Sequence, residues 1–137
     1  MSGYKFEKAS CKLSYIPGMN IIKSEPSGNW DDVDYTQNNL ADIKRMATKF
    51  IGKKWAFIGV LTDMAPIMNA KVSKVFSSYH EELEKLGCLA MVFVEGKGMV
   101  LKAQSQRHHD VSSAQKLVVK HYRTVDEALE WIKTLGL

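Results

Sequence analysis

Hydrophobic and polar positions change period several times along the chain, and each change predicts a new element. Residues 4–15 place apolar side chains at every second position, with a shift near Lys8, which is typical of a strand or hairpin. A second, short strand is predicted over residues 19–24. Pro26 and Gly28 follow it and are expected to end it, because both residues weaken a strand interior.

The first helix is predicted where apolar residues begin to recur at steps of three and four. An acidic loop anchored by Trp30 and Tyr35 is expected before it. Over residues 36–50 one helical face carries the apolar side chains, which are Leu40, Ile43, Met46, Ala47 and Phe50. Asp34 or Thr36 is expected to supply the oxygen that caps this helix.

The clearest pattern is a strand, a turn and a helix in the middle of the chain. Residues 54–62 are almost unbroken apolar residues, which predicts a strand buried on both faces, as in parallel sheets. The helix predicted after the turn, over 70–86, ends at Gly87, and its inner stripe is expected to hold Val72, Val75, Phe76, Tyr79, Leu83 and Leu86. Residues 88–94 repeat the buried-strand pattern, so the unit is βαβ.

The last third of the chain is predicted to add one strand and one helix. Residues 97–109 are only weakly helical, while residues 117–122 form a strand. Thr124 and Glu127 have the spacing of a capping box that opens the final helix. The element order predicts a single α/β domain over residues 1–137, with a mixed, mainly parallel sheet and covering helices.

Charge adds one candidate surface to this outline. The net charge is +4, and the excess lies mid-chain, at Lys44, Arg45, Lys49, Lys53 and Lys54. We call these five residues the basic patch. A solvated helix face is the simpler interpretation of the basic patch. The alternative is peripheral binding to an anionic membrane or to nucleic acid, although the aromatic residues and dense basic stripe of a strong nucleic-acid signal are missing.

The remaining composition favours a soluble, cytoplasmic protein without cofactors. Cys11 and Cys88 have neither metal-ligand nor redox spacing, so both thiols are expected to be reduced. No stretch approaches the roughly 18 apolar residues that predict a membrane-spanning helix, and the N-terminus lacks the apolar core of a signal peptide.

Three stretches resemble a known family. The order of elements, together with GKKWAFIGVLTDM at 52–64, LEKLGCLAMVFV at 83–94 and HYRTVDEALEWIKTLG at 121–136, is similar to the SpoIIAA-like branch of the STAS domain superfamily. The resemblance covers most of residues 19–137. Proteins of that branch are small bacterial cytosolic domains, so the resemblance implies a STAS-type fold and a binding or regulatory role.

One motif of that superfamily is missing. In its anti-sigma-factor antagonists, a serine at the start of the helix after the central strand is phosphorylated to switch partner binding. Asp63 matches the acidic residue at the end of the strand, but residues 64–71 contain no serine, and Ser73 lies inside the helix. The resemblance therefore implies the fold and a recognition edge, without a phosphoserine switch at this turn.

The candidate site lies at the carboxyl edge of the predicted sheet, where open α/β folds bind ligands. Exposed methionines make adaptable apolar contacts. We therefore predict a non-enzymatic STAS-like domain that binds a protein partner or a lipid-like, hydrophobic small molecule there. The predicted contact residues are Thr62, Asp63, Met64, Ile67, Met68, Asn69, Gly96 and Lys97.

Other chemistry has weaker support in the sequence. Asp63 is expected to cap the turn or the next helix, and an enzymatic role for it would require convergence with His108 or His109. His108, His109 and Asp110 are interpreted as an exposed polar loop, since adjacent side chains seldom chelate one ion. His80 and His121 are isolated in sequence and are assigned structural roles. A homodimer is conceivable if residues 4–15 form an uncovered edge strand.

Overall fold

A computed structural model describes residues 8–96 and 98–137. Within these residues the chain forms six strands and four α-helices. The strands are β1 (Ser10–Tyr15), β2 (Ile21–Gly28), β3 (Trp55–Val60), β4 (Asp63–Met64), β5 (Cys88–Val94) and β6 (Val118–Tyr122). The helices are α1 (Val33–Ala47), α2 (Ala70–Lys85), α3 (Met99–Asp110) and α4 (Val125–Lys133).

The strands form one mixed sheet in the order β1-β2-β3-β5-β6. β1 lies antiparallel to β2 at one edge, and the neighbouring pairs from β2 to β6 are parallel. The two-residue strand β4 pairs with the end of β2. The predicted α/β class with a mainly parallel sheet is thus confirmed. None of the described helices is long and apolar enough to cross a membrane.

Strand β2 is longer than the sequence predicts. It runs through Pro26 to Gly28, so the expectation that these residues end it is wrong. The reason lies in its neighbours, because residues 21–24 pair with β3 while Ser27 and Gly28 pair with β4. Pro26 lies between the two parallel ladders and pairs instead with Cys11 of the edge strand β1, so a proline here does not interrupt the pairing with β3 or β4.

Helix α1 begins earlier than predicted. Its cap is Asp32, whose side chain accepts a hydrogen bond from the N–H of Tyr35. The expected caps, Asp34 and Thr36, are both inside the helix, and Thr36 is buried. The helix ends at Ala47 and continues as a 3-10 turn to Phe50, after which Gly52 has a φ of 79°.

The central βαβ unit matches the prediction closely. β3 is buried along nearly its whole length, and α2 turns Val72, Val75, Tyr79 and Leu83 inward. Leu86 is an exception, because it follows the last helical residue and is exposed where the chain turns away at Gly87, whose φ is 92°. The inner stripe of α2 therefore ends at Leu83.

The two faces of the sheet carry different layers. α1, α2 and α3 pack on one face, against side chains that include Ile22, Phe57 and Met91. α4 packs alone on the opposite face, through Ala128 and Ile132. The predicted capping box at the start of α4 is present, with Thr124 and Glu127 bonded reciprocally. The three-helix face is therefore the thicker layer, and the candidate site lies there.

The amino-terminal strand prediction is only partly covered by the structure. Residues 1–7, with Tyr4 and Phe6, lie outside the described residues. β1 occupies one edge of the sheet, and a homodimer through this edge stays a prediction. Cys11 and Cys88 are both free thiols, as expected.

Candidate functional site

Side chains of different sizes lie in one row across the parallel strands, on the face that the three helices cover. The register aligns Ser24 of β2 with Gly59 of β3, Gly59 with Phe93 of β5, and Phe93 with His121 of β6. Ser24 and Gly59 are small, whereas the ring of Phe93 reaches over the glycine. A Cβ added to Gly59 would lie 3.1 Å from Phe93 Cδ1. The two small residues leave space between the sheet and the helices.

That space is a cavity of about 60 Å³ with mainly apolar walls. Residues from β2, β3 and β5 form its floor, and residues from α2, α3 and the segment after β3 cover it. Its apolar walls include Trp30, Phe57, Leu61, Met64, Ile67, Phe76, Met91, Phe93 and Leu101. Its polar lining includes Asn39, Tyr79, His80, Gln104, Ser105 and His108. Apolar walls with a few polar groups are the usual composition of a small-molecule site.

The predicted methionine-rich loop divides into inward and outward residues. Met64 and Ile67 are 5% and 6% exposed and line the cavity, whereas Met68 is 88% exposed. Gln104 of α3 holds the loop in place, because its amide donates to the carbonyl of Ile67 and accepts from the N–H of Ile67, both at 2.8 Å. Residues 65–68 therefore form a strap across the cavity, fastened to α3 by Gln104.

The polar residues predicted in this loop have other positions. Thr62 and Asp63 are exposed, and Asp63 pairs with Ser27 across the β2–β4 ladder. The cap of α2 is Asn69, whose side-chain oxygen accepts from the N–H groups of Lys71 and Val72. The expectation that Asp63 caps this helix is therefore wrong. Asn69 was predicted as a contact residue, and its oxygen is occupied by the cap.

The second predicted loop lies beside the first one. Gly96 turns the chain with a φ of 59°, and a Cβ added there would lie 3.5 Å from Thr62 Cγ2. Gly96 thus joins Thr62 at the carboxyl edge of the sheet. It also lines a separate surface concavity of about 300 Å³ with Lys102 and Arg123. Lys97, predicted as a contact residue, lies outside the described residues.

All four histidines of the chain converge near Phe93, which the sequence did not indicate. The ring of Phe93 lies 5.9 Å from that of His80 and 5.8 Å from that of His121, measured between centroids. The ring centroids of His109 and His80 are 5.2 Å apart, and His108 lines the cavity. The expectation of an exposed loop at 108–110 is wrong, because these residues form the last turn of α3 and His108 is buried.

Burial keeps two of these imidazoles neutral. Desolvation, assisted by the nearby His109, lowers the pKa of His80 from its usual 6.5 to about 3. Desolvation also lowers the pKa of His108 to about 4, with a smaller effect of Arg107 in the same direction. His108 Nε2 lies 3.3 Å from Ser73 Oγ, so this ring has a polar partner.

His80 lacks such a partner at one nitrogen. It is 2% exposed, and its Nδ1 is buried with no hydrogen-bond partner among the described residues. The same holds for Nδ1 of the neighbouring His109. A buried polar atom without a partner costs free energy, so such atoms are uncommon in folded proteins. His80 therefore contributes to the cavity wall a neutral imidazole whose Nδ1 is enclosed by the protein.

Glu95 organises a second polar group on the other side of Phe93. Its side chain is 4% exposed, and its Oε2 accepts from Ser105 Oγ at 2.9 Å and from His121 Nδ1 at 2.7 Å. His121 Nε2 lies 2.9 Å from Gln106 Oε1, and Gln106 Nε2 donates to Asp110. Because Asp110 fixes the orientation of the Gln106 amide, both nitrogens of His121 face oxygen atoms. We call these five side chains the Glu95 network.

The Glu95 network does not have the geometry of a catalytic triad. In a triad the imidazole accepts the serine proton, and the carboxylate holds the far side of the ring. Here the carboxylate contacts Ser105 and His121 itself, so the serine hydroxyl is directed at Glu95. No ion pair or hydrogen bond joins Asp63 to His108 or His109 within residues 8–96 and 98–137. In the same residues, no three His, Cys, Asp or Glu side chains are grouped to hold a metal ion.

The basic patch lies at the other end of the sheet, and several of its charges are engaged. Lys44 Nζ donates to Glu82 at 2.9 Å, and Arg45 pairs with Asp42 one turn earlier. Lys49 lies over the ring of Tyr15, 4.4 Å from its centroid. Lys53 and Lys54 are exposed in the loop before β3. The patch is therefore less positive than its sequence suggests, and its binding to an anionic surface stays a prediction.

In comparisons with known proteins, no protein-family model and no curated protein sequence matches this chain. The resemblance to the STAS superfamily thus stays a prediction from the sequence.

Proposed function

We propose that this protein is a non-enzymatic STAS-like binding domain that holds a small hydrophobic molecule in the cavity under the strap. The observation that carries the proposal is the mainly apolar space of about 60 Å³ at the carboxyl side of the sheet. Met64 and Ile67, two residues predicted to make contact, belong to its walls. Their inward orientation favours a small molecule over a protein partner, which would need exposed apolar side chains.

The size of the cavity limits the part of a ligand that it can hold. An apolar cavity of about 150 Å³ holds benzene, which has six heavy atoms, so this cavity accommodates about two or three heavy atoms without adjustment. The best small ligands gain at most about 1.5 kcal/mol per heavy atom, so a probe of three atoms binds in the millimolar range. Larger ligands require movement of the strap, whose described hydrogen bonds to α3 are the two from Gln104.

Propane is a suitable probe for this proposal. We expect saturable shifts of the methyl NMR signals of Met64, Ile67 and Leu101 as propane is added under pressure. Leu101→Phe adds a ring that fills the space and should abolish these shifts. Met68→Phe is the matched control, because Met68 is exposed and does not line the cavity. Shifts that do not saturate, or that persist in Leu101→Phe, would contradict the proposal.

A further inference from the structure

A separate concavity opens at the carboxyl ends of β5 and β6, outside the cavity under the strap. The two strands are parallel neighbours whose last residues, Val94 and Tyr122, are paired, so both strands end side by side. The chain then continues on opposite faces of the sheet, because α3, which follows β5, packs on the three-helix face and α4, which follows β6, packs on the other. Open α/β sheets bind ligands in the crevice at such a switch point. We call this concavity the β5–β6 crevice.

The β5–β6 crevice is large enough for a small organic molecule. Its volume is about 300 Å³, and its lining comes from the connection after β5, the first turn of α3 and the end of β6. An apolar cavity of about 150 Å³ holds the six heavy atoms of benzene, so a molecule of about twelve heavy atoms fits here. Met99, which is 75% exposed, adds an apolar contact surface to the lining.

Two positive charges of the crevice have no counter-charge. Lys102 and Arg123 both line it, and both side chains are exposed, so their charged ends are accessible to a ligand. Within residues 8–96 and 98–137, neither side chain forms an ion pair or a hydrogen bond. In the basic patch, by contrast, Lys44 and Arg45 are engaged by carboxylates. Two unpaired charges of the same sign in one concavity attract an anion.

The acidic side chain in the lining is engaged by the protein. Glu95 is 4% exposed, and its Oε2 accepts hydrogen bonds from Ser105 Oγ and faces His121 Nδ1 at 2.7 Å. The acidic residues in the first turn of α4, Asp126 and Glu127, are outside the lining. The charge that the crevice presents to a ligand is therefore positive.

We propose that the β5–β6 crevice binds a small phosphate monoester, with Lys102 and Arg123 on the phosphate group and the organic part against Met99. A phosphate monoester carries about 1.5 to 2 negative charges at pH 7 and three acceptor oxygens, which match two cationic donors better than a single carboxylate does. Its phosphate group has five heavy atoms, so about seven remain for the organic part. This site goes beyond the function proposed above and does not depend on it.

Phenyl phosphate is a suitable probe, because its eleven heavy atoms fit the crevice. The titration is followed by amide NMR at low salt and about pH 7.5, above the second pKa of about 6 of such esters. We expect saturable shifts at Gly96, Gly98 and Arg123 in the millimolar range or below. Benzoate and benzyl alcohol carry a benzene ring with one negative charge and with none, and should bind at least about tenfold more weakly.

Variants of the two cations test the site itself. Arg123→Gln and Lys102→Gln should each weaken phenyl phosphate binding about tenfold, as expected for the loss of one hydrogen bond to a charged group. Lys116→Gln is the matched control, because it changes the net charge equally and Lys116 is exposed outside the crevice. Arg123→Lys keeps the charge and should retain more affinity than Arg123→Gln. Propane binding under the strap should be unchanged in all four variants.

Four results would overturn this inference while leaving the proposed function intact. Phenyl phosphate shifts that do not saturate in the millimolar range would mean that the crevice is not a site. Equal losses in Arg123→Gln and Lys116→Gln would mean that only the net charge of the protein attracts the probe. Benzoate binding as tightly as phenyl phosphate would contradict the phosphate class, and equal binding of benzyl alcohol would show that the ring alone is recognised.

Discussion

Phe93 separates two groups of buried polar side chains that differ in how completely they are hydrogen-bonded. On one side, Glu95 and His121 belong to a network in which Glu95 Oε2 and both ring nitrogens of His121 have hydrogen-bond partners. On the other side, His80 and His109 each leave Nδ1 without one among the described residues. The first network holds the ends of β5 and β6 together, whereas the second pair leaves two buried imidazole nitrogens without a hydrogen bond to the described residues.

The largest effect expected from this comparison comes from breaking the saturated network. Glu95→Ala removes the acceptor of two hydrogen bonds and leaves His121 without its carboxylate in a buried position. Each hydrogen bond to a charged group contributes about 1.5–3 kcal/mol, so we expect a loss of about 3–5 kcal/mol in the free energy of unfolding, measured by urea denaturation. Glu130→Ala is the control, since Glu130 forms an exposed ion pair with Lys133 and should change stability by less than about 0.5 kcal/mol. A loss below about 1 kcal/mol for Glu95→Ala would mean that the network contributes little to the fold.

Acid should destabilise the protein through two buried histidines, His80 and His108. The pKa values of His80 and His108 in the folded protein, about 3 and about 4, lie below the usual 6.5 of the unfolded chain. Between pH 6.5 and these lower values, the unfolded chain binds more protons than the folded protein does. The free energy of unfolding is therefore unaffected by these two histidines above about pH 6.5, and it decreases as the pH falls toward 4. The slope of the free energy of unfolding against pH approaches about 1.4 kcal/mol per pH unit for each histidine.

The slope is measured from urea denaturation between pH 7 and pH 4. His80→Leu should make it shallower, because one of the two titrating groups is removed. An unchanged slope in this variant would show that His80 is protonated equally easily in the folded and unfolded states.

Replacement by leucine should change the stability of the protein in opposite directions at two of the histidines. His80→Leu replaces an imidazole whose Nδ1 is unsatisfied, and we expect a gain of about 1 kcal/mol in stability at pH 7. His121→Leu leaves Glu95 and Gln106 without their partner and should be destabilising. Thermal denaturation of the two variants side by side checks the comparison directly. Destabilisation by both would indicate that His80 has a partner in solution.

Much of the fold was predictable because its signals are local. The apolar run of β3, the inner stripe of α2 and the capping box of α4 depend on residues close together in sequence. The misplaced boundaries have a different cause. The length of β2 depends on β4, which lies far along the chain, and that tertiary pairing overrides the local effect of Pro26.

The sequence predicted a contact region at the edge of the sheet where the cavity lies, but it did not predict the polar side chains that line this cavity. Met64 and Ile67 were identified because the carboxyl edge of a parallel sheet is a frequent ligand site, but nothing in their sequence separates them from the exposed Met68. His80, His109 and His121 lie on α2, α3 and β6, so only the packing of these elements brings them together. One signal was available, since Phe93 and His121 occupy similar positions in two predicted parallel strands.

The central claim is that an apolar cavity under the strap is open to a small molecule. Crystallography under xenon pressure tests it most directly, because xenon enters dry apolar cavities and scatters strongly. We predict one ordered xenon atom between Ile67, Leu101 and Phe93, and its loss in Leu101→Phe. No xenon in this space, or a space filled by collapsed side chains or by ordered water, would contradict the claim.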